Sequence, residues 1–511
     1  MEHLSRRAFL AGSGALVAAP LAVPGAGTAV GSEKTSAPAA VGADHRSATP
    51  ALQTEALARH AVQTPFTALD AATLAAVKLR VLDLMGCVLA GARADGNRAL
   101  ADIVGVSGGA PAASLIGYPV RGTLADVAMV NAVFARSYDF EVMTAVIGTQ
   151  AVASHHSPTT CMTALACAEQ RHASGRDFLI ALAVADDIAA RLLVASGLDF
   201  DQGWDGSPVY SALAAVAIAA RFRGLSPRQT QDAMGIAVDQ IGGTIQNIWD
   251  GATDFKLPQG AVARNAVLAV ELAVRGWTGM QDVLHAPFGF YAQYTAGCKQ
   301  PQMLSEGLGH VFHGEAYFKP YPACAAAHPA IDCARALRSR TALEPASIAS
   351  VVVRLPQRLL DNFCAKPFEA RRFPQADANF SFQFLVANTL LRGTVRQEHY
   401  AEAALRSATI RALVDKVSLA ALDRTDVGLE IEVRTADGRT LRESHGARPD
   451  KHPLVSPATR ADVVAKFHQQ IEFAGYIPGP QADEIVARVD RLEQEQDMAD
   501  FAALLTRTHL V

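Results

Sequence analysis

The segment from Lys319 to Asp332 sets an ammonium, a phenol (Tyr321), a thiol (Cys324), an imidazole (His328) and a carboxylate in one short run. Pro320 and Pro322 fix the backbone on either side of Tyr321, and the alanines after Cys324 are strong helix formers. Lys319 and Cys324 are therefore expected at a loop-to-helix junction, where backbone N–H groups and a cation converge on a spot suited to a carboxylate or phosphate. The plainer reading is a turn ahead of a packed helix. Cys324, His328 and Asp332 also recur every four residues, which puts three metal-ligand types on one helix face. No neighbouring cluster supplies a fourth ligand, and Cys and His at helical spacing are common in cores, so no metal is assigned.

The elements that must hold such a run are mostly helices. From about residue 52 to 290, apolar residues recur at helical spacing over Thr73–Ala90, Pro158–Arg171, Gly175–Ala195, Ser207–Arg223, Thr230–Val238 and Gly260–Arg275. Ser174, Ser207 and Ser226 stand ahead of three of them as caps, and Gly224 and Gly276 follow two as stops. Strand patterns begin later, at Ile348–Leu355 and in a hairpin whose first arm is Leu429–Val433 and whose turn is Ala436-Asp437-Gly438. Helical periodicity returns over Arg460–Phe473 and Ala482–Thr506. The expected architecture is mainly α: a large all-helical domain over 51–314, a smaller inserted α+β domain over 315–455, and C-terminal helices over 456–511 that rejoin the first.

Half of the 511 residues are apolar, 19% are charged and the formal net charge is −4, so no basic face invites nucleic acid and a small-molecule partner is expected. Seven cysteines, an odd number without a CxxC pair, argue against a disulfide framework. There is no Walker loop, no GxGxxG after a strand and no HExxH. Arg6 and Arg7 precede an uncharged stretch that ends in small residues at Ala26–Ala29, the layout of a twin-arginine export signal over 1–30. That stretch is rich in Gly and Pro and has no stop-transfer flank, so a retained membrane helix is not expected. Residues 31–50 read as a disordered tether, and the expected destination is the periplasm or beyond, after folding in the cytoplasm.

Seven ordered blocks resemble the MmgE/PrpD family: Asn131–Glu141, His155–Ser157, Gly203–Gly206, Asp254–Gly260, Gly276–Gly279, Lys319–Asp332 and Phe380–Phe384. That family includes 2-methylcitrate dehydratase, cis-aconitate decarboxylase and an iminodisuccinate epimerase. The resemblance implies a helical domain plus an α+β domain, usually a homodimer, with a cofactor-independent active site between domains. Asp139 matches the family's acidic run. His155 aligns with the His of its His-Pro-Ser run, although His156 replaces the proline and could take the role. Lys256 and Lys319 match the family's two lysines. The resemblance thus implies Asp139, His155 or His156, and Lys256 as catalytic groups, with Lys319, Tyr321, Cys324 and Asp205 on the substrate-binding side.

A proton α to a carboxylate is weakly acidic, so such a site needs a positioned base and cations that hold carboxylates as charge develops. Four departures bear on this. Asp205 stands where the family has His, Cys324 where the decarboxylase branch has His, and Phe384 where many members have Tyr. Val142 stands where members carry a further acid, so one carboxylate is expected to be missing. The leading expectation is a lyase or isomerase acting on a small di- or tricarboxylate. The competing one is a polycarboxylate-binding protein that keeps the fold without turnover.

Overall fold

A computed structural model describes residues 50–143, 145–147, 150–152, 154–196, 203–313, 317–341, 343–423, 427–446 and 458–510. The expected export signal over 1–30 and all but the last residue of the expected tether lie outside the described residues.

The chain is mainly α. The apolar periodicities become helices at Ala71–Gly91, Ser157–Arg171, Gly175–Ser196, Gly206–Arg223, Pro227–Val238 and Leu257–Val274. Ser226 closes a capping box on its helix, and Gly224 stops the preceding one in the left-handed region at φ 75°. Gly206–Arg223 is capped by Asp205 rather than Ser207, the Asp205 carboxylate accepting from the Ser207 N–H at 2.9 Å.

The helix Leu124–Arg136 lies between Ala71–Gly91, Ser157–Arg171 and Leu257–Val274. Two glycines set how closely it is gripped. A Cβ at Gly91 would lie 1.8 Å from the Phe134 carbonyl oxygen, and one at Gly260 would lie 2.5 Å from that of Met129. No side chain fits at either point, so backbone presses on backbone and the helix delivers Arg136 at a fixed place.

Two short hairpins pair β1 (Ala113–Ser114) with β2 (Arg121–Gly122) and β3 (Ala145–Ile147) with β4 (Gln150–Val152). A four-stranded sheet of order β6-β5-β7-β8 is built from β5 (Ile348–Leu355), β6 (Val417–Ala421), β7 (Val427–Thr435) and β8 (Thr440–Gly446). β5 runs parallel to β6 and antiparallel to β7, with Val351 opposite Val417 on one side and Val433 on the other. Val351, Val353, Ile431 and Val433 are buried, and helices His328–Thr341 and Phe382–Arg392 pack on this sheet and on each other.

Arg460–Ala474 packs along Ala71–Gly91. The single helix expected over 482–506 is instead two, Gly479–Asp490 and Met498–Thr506, separated by a 3₁₀ turn at Leu492–Gln494. The break is anchored from outside: the Gly175 N–H donates to Glu495 O at 2.9 Å and the Met498 N–H to Ala173 O at 2.8 Å. All seven cysteines are free thiols. Among the described residues, no helix is long and apolar enough to cross a membrane.

Candidate active site

Arg136 closes its helix fully buried, and the chain turns at once through Ser137 to Val142. Asp139 takes φ 51°, a left-handed conformation that non-glycine residues seldom adopt and that Asp tolerates better than most. The turn folds its carboxylate back onto Arg136 at 2.5 Å. Lys319 arrives from far along the chain and gives Asp139 two contacts, an ion pair to Oδ1 at 2.8 Å and a hydrogen bond to its carbonyl at 2.8 Å. Glu141 lies 3.3 Å from Arg136 and takes the Nδ1–H of His155 at 2.6 Å. The turn carrying the two acids is tied to the segment before Lys319 by backbone bonds between Met143 and Tyr317, at 3.0 and 2.7 Å. Asn379 adds a stitch, donating to Tyr138 O at 3.2 Å and Pro322 O at 2.8 Å.

Arg136, Asp139, Glu141 and Lys319 are fully buried, whereas the His155 side chain remains 19% exposed. Burial alone would raise both carboxyl groups. Lys319, Arg136 and His155 outweigh it at Asp139, and Arg136 and His155 at Glu141, so both are held below the usual carboxylate range and stay ionised. Burial, helped by Arg136 and Lys319, lowers the His155 imidazole despite Glu141 beside it. His155 is therefore neutral near pH 7, and with Nδ1–H given to Glu141 its lone pair is on Nε2. Asp139 Oδ2 and Glu141 Oε2 are buried and have no hydrogen-bond partner among the described residues. The arrangement is an oriented base, two carboxylates and two cations, able to move a proton and to steady anionic charge.

Donor atoms of Asp139, Glu141 and His155 lie within 4.8 Å of one another, close enough for a metal ion. Arg136 and Lys319 already balance the two carboxylates, so a dication would face two buried positive charges, and the donor set does not fit a resident metal. The helical-face trio fits no better. His328 accepts from Tyr317 OH at Nδ1 (2.7 Å) and donates from Nε2 to Ala323 O (3.0 Å), while Asp332 takes the Tyr321 hydroxyl at 2.6 Å.

The structure brings Asp139, His155 and Lys319 together and sends other expected site residues elsewhere. His156 points into a separate buried network, with Nδ1 2.9 Å from Ser154 Oγ and Nε2 3.5 Å from Asp186; burial lowers it to about 4. The Lys256 ammonium donates to Asp95 O at 2.8 Å and lies 5.6 Å from the centre of the Phe373 ring, and burial lowers it to about 7. Lys256 stands at the position just ahead of Leu257–Val274, a helix that starts before the Gly260 expected from the sequence. Its neighbour Phe255 stacks under Arg136 at 5.4 Å, so Lys256 flanks the cluster without pairing to it. Tyr321 is engaged by Asp332 and Arg335, away from Asp139. Asp205 serves as a helix cap, yet its charge still acts on Arg136. The Cys324 thiol, lowered by a hydrogen bond with Cys364, feels both Asp139 and Lys319. Phe384 is buried against Phe368 and Tyr400.

Arg136, inside the Asn131–Glu141 run, and Asn379, just before Phe380–Phe384, are part of this assembly and were not singled out from the sequence. Glu141 supplies a second acid beside Asp139, while Val142, whose side chain is core, leaves its own position without a carboxylate. The signal was present in Tyr138-Asp139-Phe140-Glu141, since an acid two residues from Asp139 can return to the same face of a turn. A surface cavity of about 690 Å³ lined by Ser114, Arg121, Glu169 and Arg507 shares no residue with this cluster, and there Arg121 and Glu169 satisfy each other at 2.7 Å.

Fold and site define a mainly helical protein with a buried, charge-balanced acid–base centre. The chain belongs to the MmgE/PrpD family: the family's N-terminal domain matches residues 55–302 and its C-terminal domain residues 321–493. It is 24% identical over 420 residues to the cis-aconitate decarboxylase-like protein oryM of Aspergillus oryzae, covering 77% of this chain and 84% of that one. It is 30% identical over 310 residues to cis-aconitate decarboxylase of Homo sapiens, covering 57% and 60%, and 28% identical over 406 residues to that of Mus musculus, covering 74% and 78%.

Proposed function

We propose that the protein is a cofactor-independent lyase acting on a small di- or tricarboxylate by proton transfer at a carbon α to a carboxylate. The observation that carries this reading is the His155–Glu141 dyad beside Lys319 and Asp139. His155 Nε2 is the base, Glu141 fixes its tautomer, and Lys319 and Arg136 hold the two carboxylates ionised around it. Lys256, lowered to about 7, is the nearby group whose charge changes most readily at neutral pH, which suits a proton donor. The names of the relatives make cis-aconitate the first substrate to test. In this reading the helical part over 51–314 and 456–511 and the α+β part over 315–455 meet at the site, two chains form a homodimer, and Arg6 and Arg7 direct export.

The test incubates the purified chain in D₂O with cis-aconitate, 2-methylcitrate and a panel of simpler di- and tricarboxylates, with products and deuterium uptake read by mass spectrometry. Loss of CO₂ or water, or deuterium at carbon, is the expected result. Tight binding of a polycarboxylate without turnover would instead support the binding-protein reading, and neither binding nor turnover would overturn both.

A further inference from the structure

We propose that the buried ion pair Asp83–Lys466 is a positioning device that holds Glu141, and through it His155, in register for proton transfer; the kinetic part of this inference rests on the function proposed above. Asp83 comes from the helix Ala71–Gly91 and Lys466 from Arg460–Ala474. Their charged atoms lie 2.6 Å apart, with side-chain exposures of 0% and 9%. Both residues also reach the turn that carries the carboxylates. Lys466 donates to Phe140 O at 2.6 Å, and Asp83 Oδ2 accepts the Val142 N–H at 2.7 Å. Glu141 is thus gripped through the peptide group on each side of it, by partners that do not themselves bond its carboxylate. The Lys466 ammonium also lies 4.1 Å from the centre of the Phe140 ring, which fixes the residue between the two acids.

A buried ion pair is a poor source of stability, because desolvation offsets most of its attraction. Its place here matches a different need. Asp139 occupies a left-handed conformation that relaxes unless its surroundings determine it. A turn set free at 140 and 142 would let Asp139 return to an ordinary φ and swing Glu141 away from His155. Geometry of this kind is where catalysis is sensitive, since displacement by about 1 Å can cost about a hundredfold in rate.

Because Lys466→Met alone strands a buried carboxylate and can unfold the chain, the test uses the double variant Asp83→Asn/Lys466→Met beside Lys466→Arg. Three quantities are compared with wild type: melting temperature, hydrogen exchange of peptides spanning 138–143, and kcat and KM on cis-aconitate or whichever panel compound wild type converts. In the double variant, melting should stay within a few degrees, exchange at 138–143 should quicken by about tenfold or more, and kcat should fall about a hundredfold with little change in KM. Lys466→Arg, which keeps the charge and the donors, should recover much of kcat. Unchanged exchange at 138–143 would overturn the proposal, and so would a kcat loss that follows melting temperature alone. If wild type converts no panel compound, the proposed function fails while the exchange measurement still decides the positioning role.

Discussion

At the scale of single residues, His155 and Glu141 act as one unit. Replacing His155 with Asn should lower kcat by about 10²–10⁴-fold, the usual range for removing a positioned base, with melting little changed. The pH dependence has a definite sign. The base form is neutral and its folded value lies below the ordinary 6.5, so the acid limb of kcat/KM should fall below pH 6.5. Glu141 pulls that value up, so Glu141→Gln should move the limb further down while lowering kcat by loss of orientation. A limb at or above pH 6.5 in a pH–rate profile would exclude His155 as the base. Asp139, His155 and Lys319 were legible because each sits in a short family run. Asn379 was not, since it gains its partner through folding, reaching back to Tyr138, 241 positions away, and Arg136 was passed over although it shares a run with its partner Asp139 three residues on. For Lys256, residue type and spacing give the presence of a lysine and say nothing about which carbonyl its ammonium meets.

At the scale of elements, Lys256 couples the start of the helix Leu257–Val274 to the Asp95 carbonyl beyond the end of Ala71–Gly91. Its folded value of about 7 lies below the ordinary 10.5, so between those limits the unfolded chain holds more protons than the folded one. The Lys256 contribution to wild-type stability should therefore rise from pH 7 toward 10.5. Lys256→Met lacks that rise and should melt at or above wild type near pH 7, with the gap closing as the solution is made alkaline. Thermal melts at several pH values read this directly. If Lys256 also donates a proton during turnover, the same variant should lose about a hundredfold in kcat. Helices were legible over long apolar runs such as Gly175–Ser196 and Gly206–Arg223, whereas Asn97–Val106 and Leu124–Arg136 were not singled out, and the strand and hairpin at Ile348–Leu355 and Leu429–Val433 were legible from alternation. The break at Leu492–Gln494 was not, although Asp497, which caps Met498–Thr506, is a local signal for it beside the two hydrogen bonds to residues 173 and 175. Asp205 shows that a residue read as a pocket anion is equally what a helix start requires.

At the scale of the whole molecule, Trp277 (61% exposed) and Phe288 (80% exposed) are large apolar side chains left at the surface after Leu257–Val274. They accord with the proposed homodimer, and light scattering at micromolar concentration should give twice the mass of one chain; a single-chain mass would reject it. The pairing of Asp83 with Lys466 has a consequence for how the molecule is made. Lys466 lies 326 positions beyond the Phe140 carbonyl it holds, so during synthesis the turn carrying Asp139 and Glu141 leaves the ribosome long before its second anchor exists. Contacts of such sequence separation form late. The turn, His155 and Lys319 are therefore all synthesised before the anchor that aligns them, and the last stretch of translation completes the centre.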